Sequence, residues 1–496
     1  MAHDVVVAGA GPVGLMLACE LQLAGVRTVV VDRLPKPSGQ SRALGLHART
    51  VEVLDQRGLL DRFREGAPVW PTAHFAGLRR LDLSALDGNH TYALMVPQSR
   101  TEAILAERAV ELGVEIRYGH EVTELVQDED GVSVTVRTPA GDQRLRASYL
   151  VGCDGGTSAV RKLAGIDFPG SPSTMNAVLG DVRLAEEQPP GPQLRRMPGG
   201  LFGVVPLGED NYRVVAVEFR TQPRPRELPV TLEELRASVK RVAGVELEMD
   251  QPIWMSRFGN ATRQAAQYRS GRIFLAGDAA HVHFPAGGQG LNTGVQDAVN
   301  LGWKLAAVVA GWAPPGLIDS YHAERHPVAQ QVCHNTRAQL ALMDPAEEIT
   351  PLRELFGHLM EFASVNRYLA GMIAGVDIRY DLAGVDHPLV GKRLPDLSIG
   401  GPVSRTVNLL HSGRGVLLDF ASDPGIAELV AGWAGRVDHV VARCDTEVSA
   451  MLVRPDGYVA WATGLSATSD GLGDALARWF GAAGPSPLSS LNETEL

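Results

Sequence analysis

The hydrophobic pattern changes period several times along the chain, and each change marks an element. Residues 3–8 (His-Asp-Val-Val-Val-Ala) have the length and β-branched content of a buried strand. A glycine-rich turn follows, then a helix-forming run over 13–24, then a second apolar strand over 28–31 that ends at Asp32. Strand, turn, helix and strand in that order make a β-α-β unit, which favours a parallel sheet covered by helices on both faces. From about 68 to 97 the pattern is irregular, with alternating segments over 72–77 and 91–96. Helical periodicity returns over 100–112, and strand-like runs over 132–138 and 143–148 flank a Pro-Ala-Gly-Asp turn, predicting a hairpin. Residues 149–152 read as a strand rejoining the parallel sheet. Strand patterns broken by Gly and Pro clusters over 174–220, such as 201–206 and 212–219, predict an inserted, mostly antiparallel sheet. A further apolar strand over 272–276 precedes a long apolar helix over 291–310. After about 391 the pattern resets: strands over 416–420, 437–442, 450–453 and 458–462, then a closing helix over 467–480.

At 496 residues the chain has room for two or three domains with a large core. Its formal charge is −11, with no basic block, which argues against nucleic acid and anionic membrane as partners. Apolar stretches fall far short of the roughly 20 residues that cross a bilayer. Met1 leads directly into a polar pair and a strand, not a signal peptide, so the expected location is cytoplasmic. Cys19, Cys153, Cys333 and Cys444 are far apart and form no Cys-x-x-Cys pair, so they read as inert thiols. His281 and His283 stand two apart without a third ligand cluster, and no metal is expected.

The first chemical signal is Gly9-Ala10-Gly11-Pro12-Val13-Gly14. Gly9 permits the tight turn, Gly11 lets a pyrophosphate approach the backbone, and Gly14 lets strand and helix pack closely. The helix behind Pro12 and Val13 offers free N–H groups to phosphate. Asp32, with Arg33 beside it, ends the next strand where a ribose hydroxyl would donate. The motif identifies a dinucleotide site without separating FAD from NAD(P).

Two later segments make that separation by resemblance. Gly152-Cys153-Asp154-Gly155-Gly156 through Arg161 resembles the Asp-Gly motif of the class A flavoprotein aromatic hydroxylases. Gly277-Asp278-Ala279-Ala280-His281, continuing through Pro285, Gly287, Gly288, Gly290, Leu291 and Asn292 to Gly294, resembles their Gly-Asp motif and flavin loop. The similarity runs the whole length and points to the para-hydroxybenzoate hydroxylase-like fold, nearest the bacterial oxygenases of angucycline-type polyketides. It implies an α/β protein: a Rossmann-type FAD-binding domain (1–172 with strand insertions around 68–97, and 269–390 with long helices), an inserted antiparallel substrate domain (173–268), and a thioredoxin-like C-terminal domain (391–496). That last domain lacks a dithiol, which points to an interaction or stabilising role.

The resemblance also implies roles. Asp278 and Gln98 would hold the ribityl chain; Asp154 and Gly155 would lie between flavin and nicotinamide. Gly288, Gly290, Leu291 and Asn292 would present a helix end to the flavin edge that becomes anionic on reduction. Arg42 would contact FAD and place NADPH, and the Pro285 carbonyl would face the reacting hydroxyl or the flavin. Arg161 is open between a phosphate contact and a helix charge, and Arg42 retains the alternative of a solvated loop arginine. The implied reaction hydroxylates a polycyclic aromatic with NADPH and O₂ through a C4a-hydroperoxyflavin, NADPH binding transiently without a Rossmann domain of its own. Phe75, Phe202, Trp254 and Phe258 are candidate substrate walls or ordinary core. Alternatives of the same scaffold are Baeyer–Villiger oxidation, epoxidation, or a non-catalytic FAD protein that sequesters an aromatic antibiotic. Self-association into a homo-oligomer is left open, as is the preference between NADPH and NADH.

Overall fold

The computed structural model describes residues 3–484 except 79, 190, 209, 226–227, 383–386, 401–402 and 465–468. The chain opens with β1 (Val5–Ala8), α1 (Pro12–Leu23) and β2 (Thr28–Asp32), continues through α2 (Ala48–Asp55) and α3 (Gln98–Glu111) to β3 (Glu115–Tyr118), makes a three-stranded meander, and returns in β4 (Tyr149–Gly152) and the short helix α4 (Ala159–Leu163). An antiparallel segment follows: β5 (Asn176–Leu184), β6 (Gln193–Met197), β7 (Gly200–Gly208), β8 (Asn211–Glu218), α5 (Leu232–Ala243) and β9 (Met249–Phe258). Next come β10 (Ile273–Leu275), α6 (Gln289–Val309), α7 (Ser320–Met343), α8 (Thr350–Leu359) and α9 (Ala363–Ala374). The last part holds β11 (Gly415–Asp419), β12 (Val437–Val441), β13 (Val448–Val453), β14 (Val459–Gly464) and α10 (Leu472–Phe480). The closing helix therefore starts at Leu472; residues 467 and 468 of the expected span lie outside the described residues.

Five parallel strands stand in the order β10-β4-β1-β2-β3, with Arg269–Ser270 antiparallel on the outer edge. Val5, Val6 and Val7 are fully buried in one core with apolar residues of helix α1 and with Val132, Val134 and Val136 of the meander. Strand order reverses at β1, with β2 and β3 on one side and β4 and β10 on the other. Ligands of open parallel sheets bind at such a reversal, beyond the carboxyl ends of the strands. Here those ends carry Gly9 and Asp154.

The second sheet has the order β6-β7-β8-β5-β9, all antiparallel. Helix α5 covers one face. Its start is set by Thr231, whose hydroxyl accepts the Glu234 N–H at 3.2 Å, and its end by Gly244 at φ 71°. The other face joins α8, α9 and the 284–286 loop in an apolar cluster that includes Phe75, Leu201, Val217, Phe284 and Met343.

The C-terminal sheet runs β12-β11-β13-β14, with β12 parallel to β11 and the other pairs antiparallel. Its core includes Trp303 and Ala307 of α6, so it is sewn into the first part of the molecule. A buried ionic knot reinforces the seam. Glu324 of α7 accepts two bonds of 2.7 Å from Arg454, one of 2.8 Å from Lys304 and one of 2.6 Å from Asn300. Burial pushes the Glu324 carboxyl up, but Arg454 and Lys304 more than offset this and hold it below the usual carboxylate range. Among the described residues, no helix is long and apolar enough to cross a membrane.

Candidate cofactor and substrate site

The three glycine motifs meet at the reversal point, and the space around each glycine says why it is there. A Cβ on Gly14 would stand 1.9 Å from the Gly9 carbonyl oxygen, and one on Gly9, at φ 110°, would stand 2.3 Å from the Cys153 carbonyl oxygen. These two positions are closed by backbone. Gly11 has nothing within 4 Å. A ligand can therefore approach its backbone closely at the N-terminus of α1, as phosphate binding there requires. Val13 packs into a gap walled by Gly277 and Gly294, where an added Cβ would approach its Cγ2 to 2.9 and 2.5 Å. The glycine-rich turn, the Asp-Gly loop and the flavin-loop helix are thus held together at distances that other side chains would prevent.

Asp32 accepts the Ala10 N–H at 2.7 Å and the Leu34 N–H at 2.8 Å, which fixes its carboxylate across the turn; Arg33 is exposed next to it. Asp278 is exposed with no hydrogen-bond partner among the described residues, and lies 4.0 Å from the position a Gly290 Cβ would take. It is a free carboxylate beside the first turn of α6. Gly155, at φ 81°, also faces open space. Arg42 is exposed, and its guanidinium has no hydrogen-bond partner among the described residues. Pro285 is exposed and its carbonyl accepts the Gly288 N–H at 3.2 Å. Gly287 and Gly288 take φ 68° and 67°, a left-handed pair that turns the chain into α6. Leu291 is half-buried against the core of the parallel sheet.

Three expected ligands have side chains engaged within the protein, and Phe202 takes the core alternative. Asp154 accepts from Ser158 Oγ and from the Ala159 and Val160 N–H groups, so its carboxylate caps α4 and shapes the loop. The Asn292 side chain is consumed by His47 N–H at 2.8 Å and by the carbonyls of Gly45 and Gly288. It staples residues 45–47 to the start of α6, leaving only its backbone for a ligand. Gln98 is likewise engaged, accepting from Ala43 N–H and donating to Glu102. Phe202 packs with the cluster under α5, on the sheet face turned away from the flavin loop. Arg161, open between two readings, serves neither: it donates to the carbonyls of Ala279 and Gly156 and lies 3.7 Å above the Phe168 ring, tying the two Asp motifs together.

The other three aromatic candidates stand outside the cluster under α5. Phe75 stacks on Phe356 of α8 at 5.4 Å, and Phe258 tilts against Phe284 of the flavin loop at 6.0 Å. Trp254 donates its indole N–H to Asp181 at 2.7 Å, with the Arg213 guanidinium 5.2 Å from its ring centroid.

Sequence reading missed several residues. Asp297 of α6, fully buried, accepts from Gly277 N–H, from His281 Nε2 at 2.7 Å and from Arg325 Nε at 2.7 Å. This accounts for His281, while His283 Nδ1 bonds the Phe284 carbonyl. Glu102 lies near Asp32 and Arg42, and burial pushes its carboxyl up. His47 is half-buried beside Gly288, and burial pulls its pKa down to about 4 although its ring bonds the Ile373 backbone. It is therefore neutral at pH 7. Unfolded histidine titrates near 6.5. Below that value the unfolded chain takes up a proton that the folded protein refuses, so stability falls as pH drops from about 6.5 to about 4. Urea unfolding of the FAD-free protein should show H47Q losing on the order of 2 kcal/mol less than wild type between pH 7 and pH 4.5. Parallel acid profiles would show that His47 is not the group responsible.

The residues present fit the FAD that the resemblance implies: open space at Gly11 and Gly155, a carboxylate at Asp278 and a guanidinium at Arg42 with no hydrogen-bond partner among the described residues, and the N-terminus of α6. Comparison with known proteins agrees. Residues 2–336 match the FAD binding domain family model, and residues 387–483 match the aromatic-ring hydroxylase C-terminal model. The 12-dehydrotetracycline 5-monooxygenase/anhydrotetracycline 6-monooxygenase of Streptomyces rimosus subsp. rimosus is 50% identical over 97% of this chain and 99% of its own. The crystal structure of CabE, an aromatic hydroxylase from angucycline biosynthesis, superposes with a TM-score of 0.92 at 45% identity, covering 97% of this chain and 100% of that one. A dialkyldecalin synthase of Streptomyces rugosporus is 43% identical over 97% of this chain and 100% of its own. The chain belongs to the FAD-binding aromatic-ring hydroxylases and is an FAD-dependent aromatic monooxygenase.

Proposed function

We propose that the substrate is a polycyclic, phenolic polyketide, hydroxylated in the space between the flavin loop and the second sheet. The observation that carries this is the contact of Phe258 with Phe284, which brings one end of the apolar sheet face beside the loop next to the Gly-Asp motif. The apolar cluster behind that contact, which includes Phe75, Leu201, Val217, Phe284 and Met343, would back a flat, extended aromatic with a water-free surface. The oxygen chemistry comes from bound FAD, reduced by NADPH and open to O₂. The chain's own tasks are positional. Gly11 and the α1 N-terminus receive the pyrophosphate, Asp32 the adenosine ribose, Asp278 the ribityl hydroxyls, and the start of α6 the flavin edge that gains negative charge. Arg42 stands where a transient nicotinamide can be met, and the Pro285 carbonyl is a candidate acceptor for the substrate hydroxyl. We place the FAD-binding domain at 1–172 and 269–390, the substrate domain at 173–268, and a thioredoxin-like, stabilising domain at 391–496.

The test is NADPH oxidation by the purified FAD-loaded protein with anhydrotetracycline or a tetracyclic angucyclinone, followed by product mass. Substrate-stimulated oxidation with a product heavier by one oxygen atom supports the reading. A rearranged product of unchanged mass would instead favour ring-forming chemistry of the kind named for the Streptomyces rugosporus relative. Failure to retain flavin after incubation with FAD would overturn both.

A further inference from the structure

The segment 41–47 carries Arg42 and is anchored at three places. Ser41 Oγ bonds Ser99 Oγ at 2.8 Å, and Ala43 exchanges bonds with Gln98 at the start of α3. Asn292 holds Gly45 and His47 at the start of α6. The third anchor comes from the substrate sheet. Arg213 of β8 donates from Nη1 to the Arg42 carbonyl at 3.1 Å and from Nη2 to the Ser41 carbonyl.

Arg213 is itself fixed from behind. Its Nε and Nη2 donate to the two oxygens of Asp181 at 2.7 and 2.9 Å, and Asp181 Oδ2 also accepts the Trp254 indole N–H. Arg213, Asp181 and Trp254 are register partners across β8, β5 and β9, so three neighbouring strands converge on one guanidinium. Arg213 and Asp181 are each only 4% exposed, and Ser41 is 7% exposed. A buried arginine spends its donors where direction matters: the planar fork can hold a carboxylate on one side and two carbonyls on the other, which a lysine cannot do. The carbonyls it grips belong to the residue that presents the free cation and to the one before it.

We propose that Arg213 is a positioning residue that sets Arg42 against the dinucleotide, with Asp181 and Trp254 as its brace. It makes the placement of Arg42 a property of the substrate sheet as well as of the FAD-binding part. This rests on Arg42 meeting the cofactor, as proposed above, and the test separates the two claims.

The experiment is a double-mutant cycle of R42A and R213K, read by the FAD dissociation constant from flavin fluorescence and by the anaerobic rate of flavin reduction by NADPH. Hydrogen exchange of the 41–47 amides in the FAD-free protein is the third readout. R213K should speed exchange of those amides and weaken FAD by about tenfold, with R42A adding little on top. If R42A alone changes neither FAD affinity nor reduction, the reading of Arg42 fails and the proposal with it. If R42A has an effect and R213K adds to it in full, Arg42 keeps its role and the positioning claim is overturned. Unchanged exchange at 41–47 in R213K overturns it too. Should R213K fail to fold, W254F, which removes one bond from Asp181 and leaves the arginine, decides by the same cycle: a smaller, non-additive loss supports the brace, and an additive or absent effect ends it.

Discussion

Replacing Asp297 with alanine is expected to destabilise the protein by about 3–5 kcal/mol and to weaken FAD binding in the fraction that folds. The carboxylate is fully buried and is the shared acceptor of Gly277 N–H, His281 and Arg325. Burial alone would raise its pKa, but Arg325 and His281 reverse the direction, so it stands ionised in the core. Removing it leaves the Arg325 cation with the Tyr380 hydroxyl and the Thr293 carbonyl, neither of which neutralises it. It also releases the turn that carries Asp278, one residue beyond Gly277. D297N keeps the shape and loses the charge, and should fall between wild type and D297A. Urea unfolding gives the first quantity and flavin fluorescence titration the second. Stability within about 1 kcal/mol of wild type would mean that the knot relaxes without its centre, against the view that a lone buried charge is costly.

The second large effect separates two glycines three residues apart. G14A should lower the melting temperature and abolish FAD binding together, because its methyl group would collide with the Gly9 carbonyl, and Gly9 is itself packed against the Cys153 carbonyl. G11A should fold as wild type does. Its φ of −79° suits alanine, and an added Cβ meets nothing within 4 Å. The same methyl group would stand where a pyrophosphate must approach, so FAD affinity should drop about 100-fold, roughly 2.7 kcal/mol. A G11A protein that binds FAD normally would remove the phosphate from this turn. One that unfolds would show the open space to be structurally occupied.

These contrasts also show what a linear reading can reach. The β1-α1-β2 opening is legible because its apolar runs keep one period and its glycines fall at fixed offsets. Helix α5 is equally legible, with Thr231 and Glu234 at capping spacing and Gly244 behind it. Alternation along β7 puts Phe202 and Val204 on one face and Leu201 and Val205 on the other, but only the helix decides which face is covered and which borders the site. Helix α7 was hard to delimit for a physical reason: it buries Glu324, Arg325, Asn335 and Gln339, so polar pairing replaces the apolar stripe that periodicity detects. Of the site, the motif glycines, Asp32 and Asp278 were readable because local spacing defines them. Arg213 was not, since its partners lie 32 residues away in Asp181 and 171 residues away in Arg42. Asp154 and Asn292 were placed in the right neighbourhood, yet their hydrogen bonds with nearby backbone could not be foreseen from it.

The knot at Glu324 has a bearing on how the protein is made. Arg454, the strongest partner of that carboxylate, is synthesised 130 residues after it. At about 5–20 residues per second the delay is on the order of ten seconds. During that interval a nascent chain carries a carboxylate that is costly to bury with Lys304 and Asn300 alone, on a helix packed against the one that bears the flavin loop. Nascent chains arrested before Arg454 are therefore expected to bind FAD more weakly than the full chain.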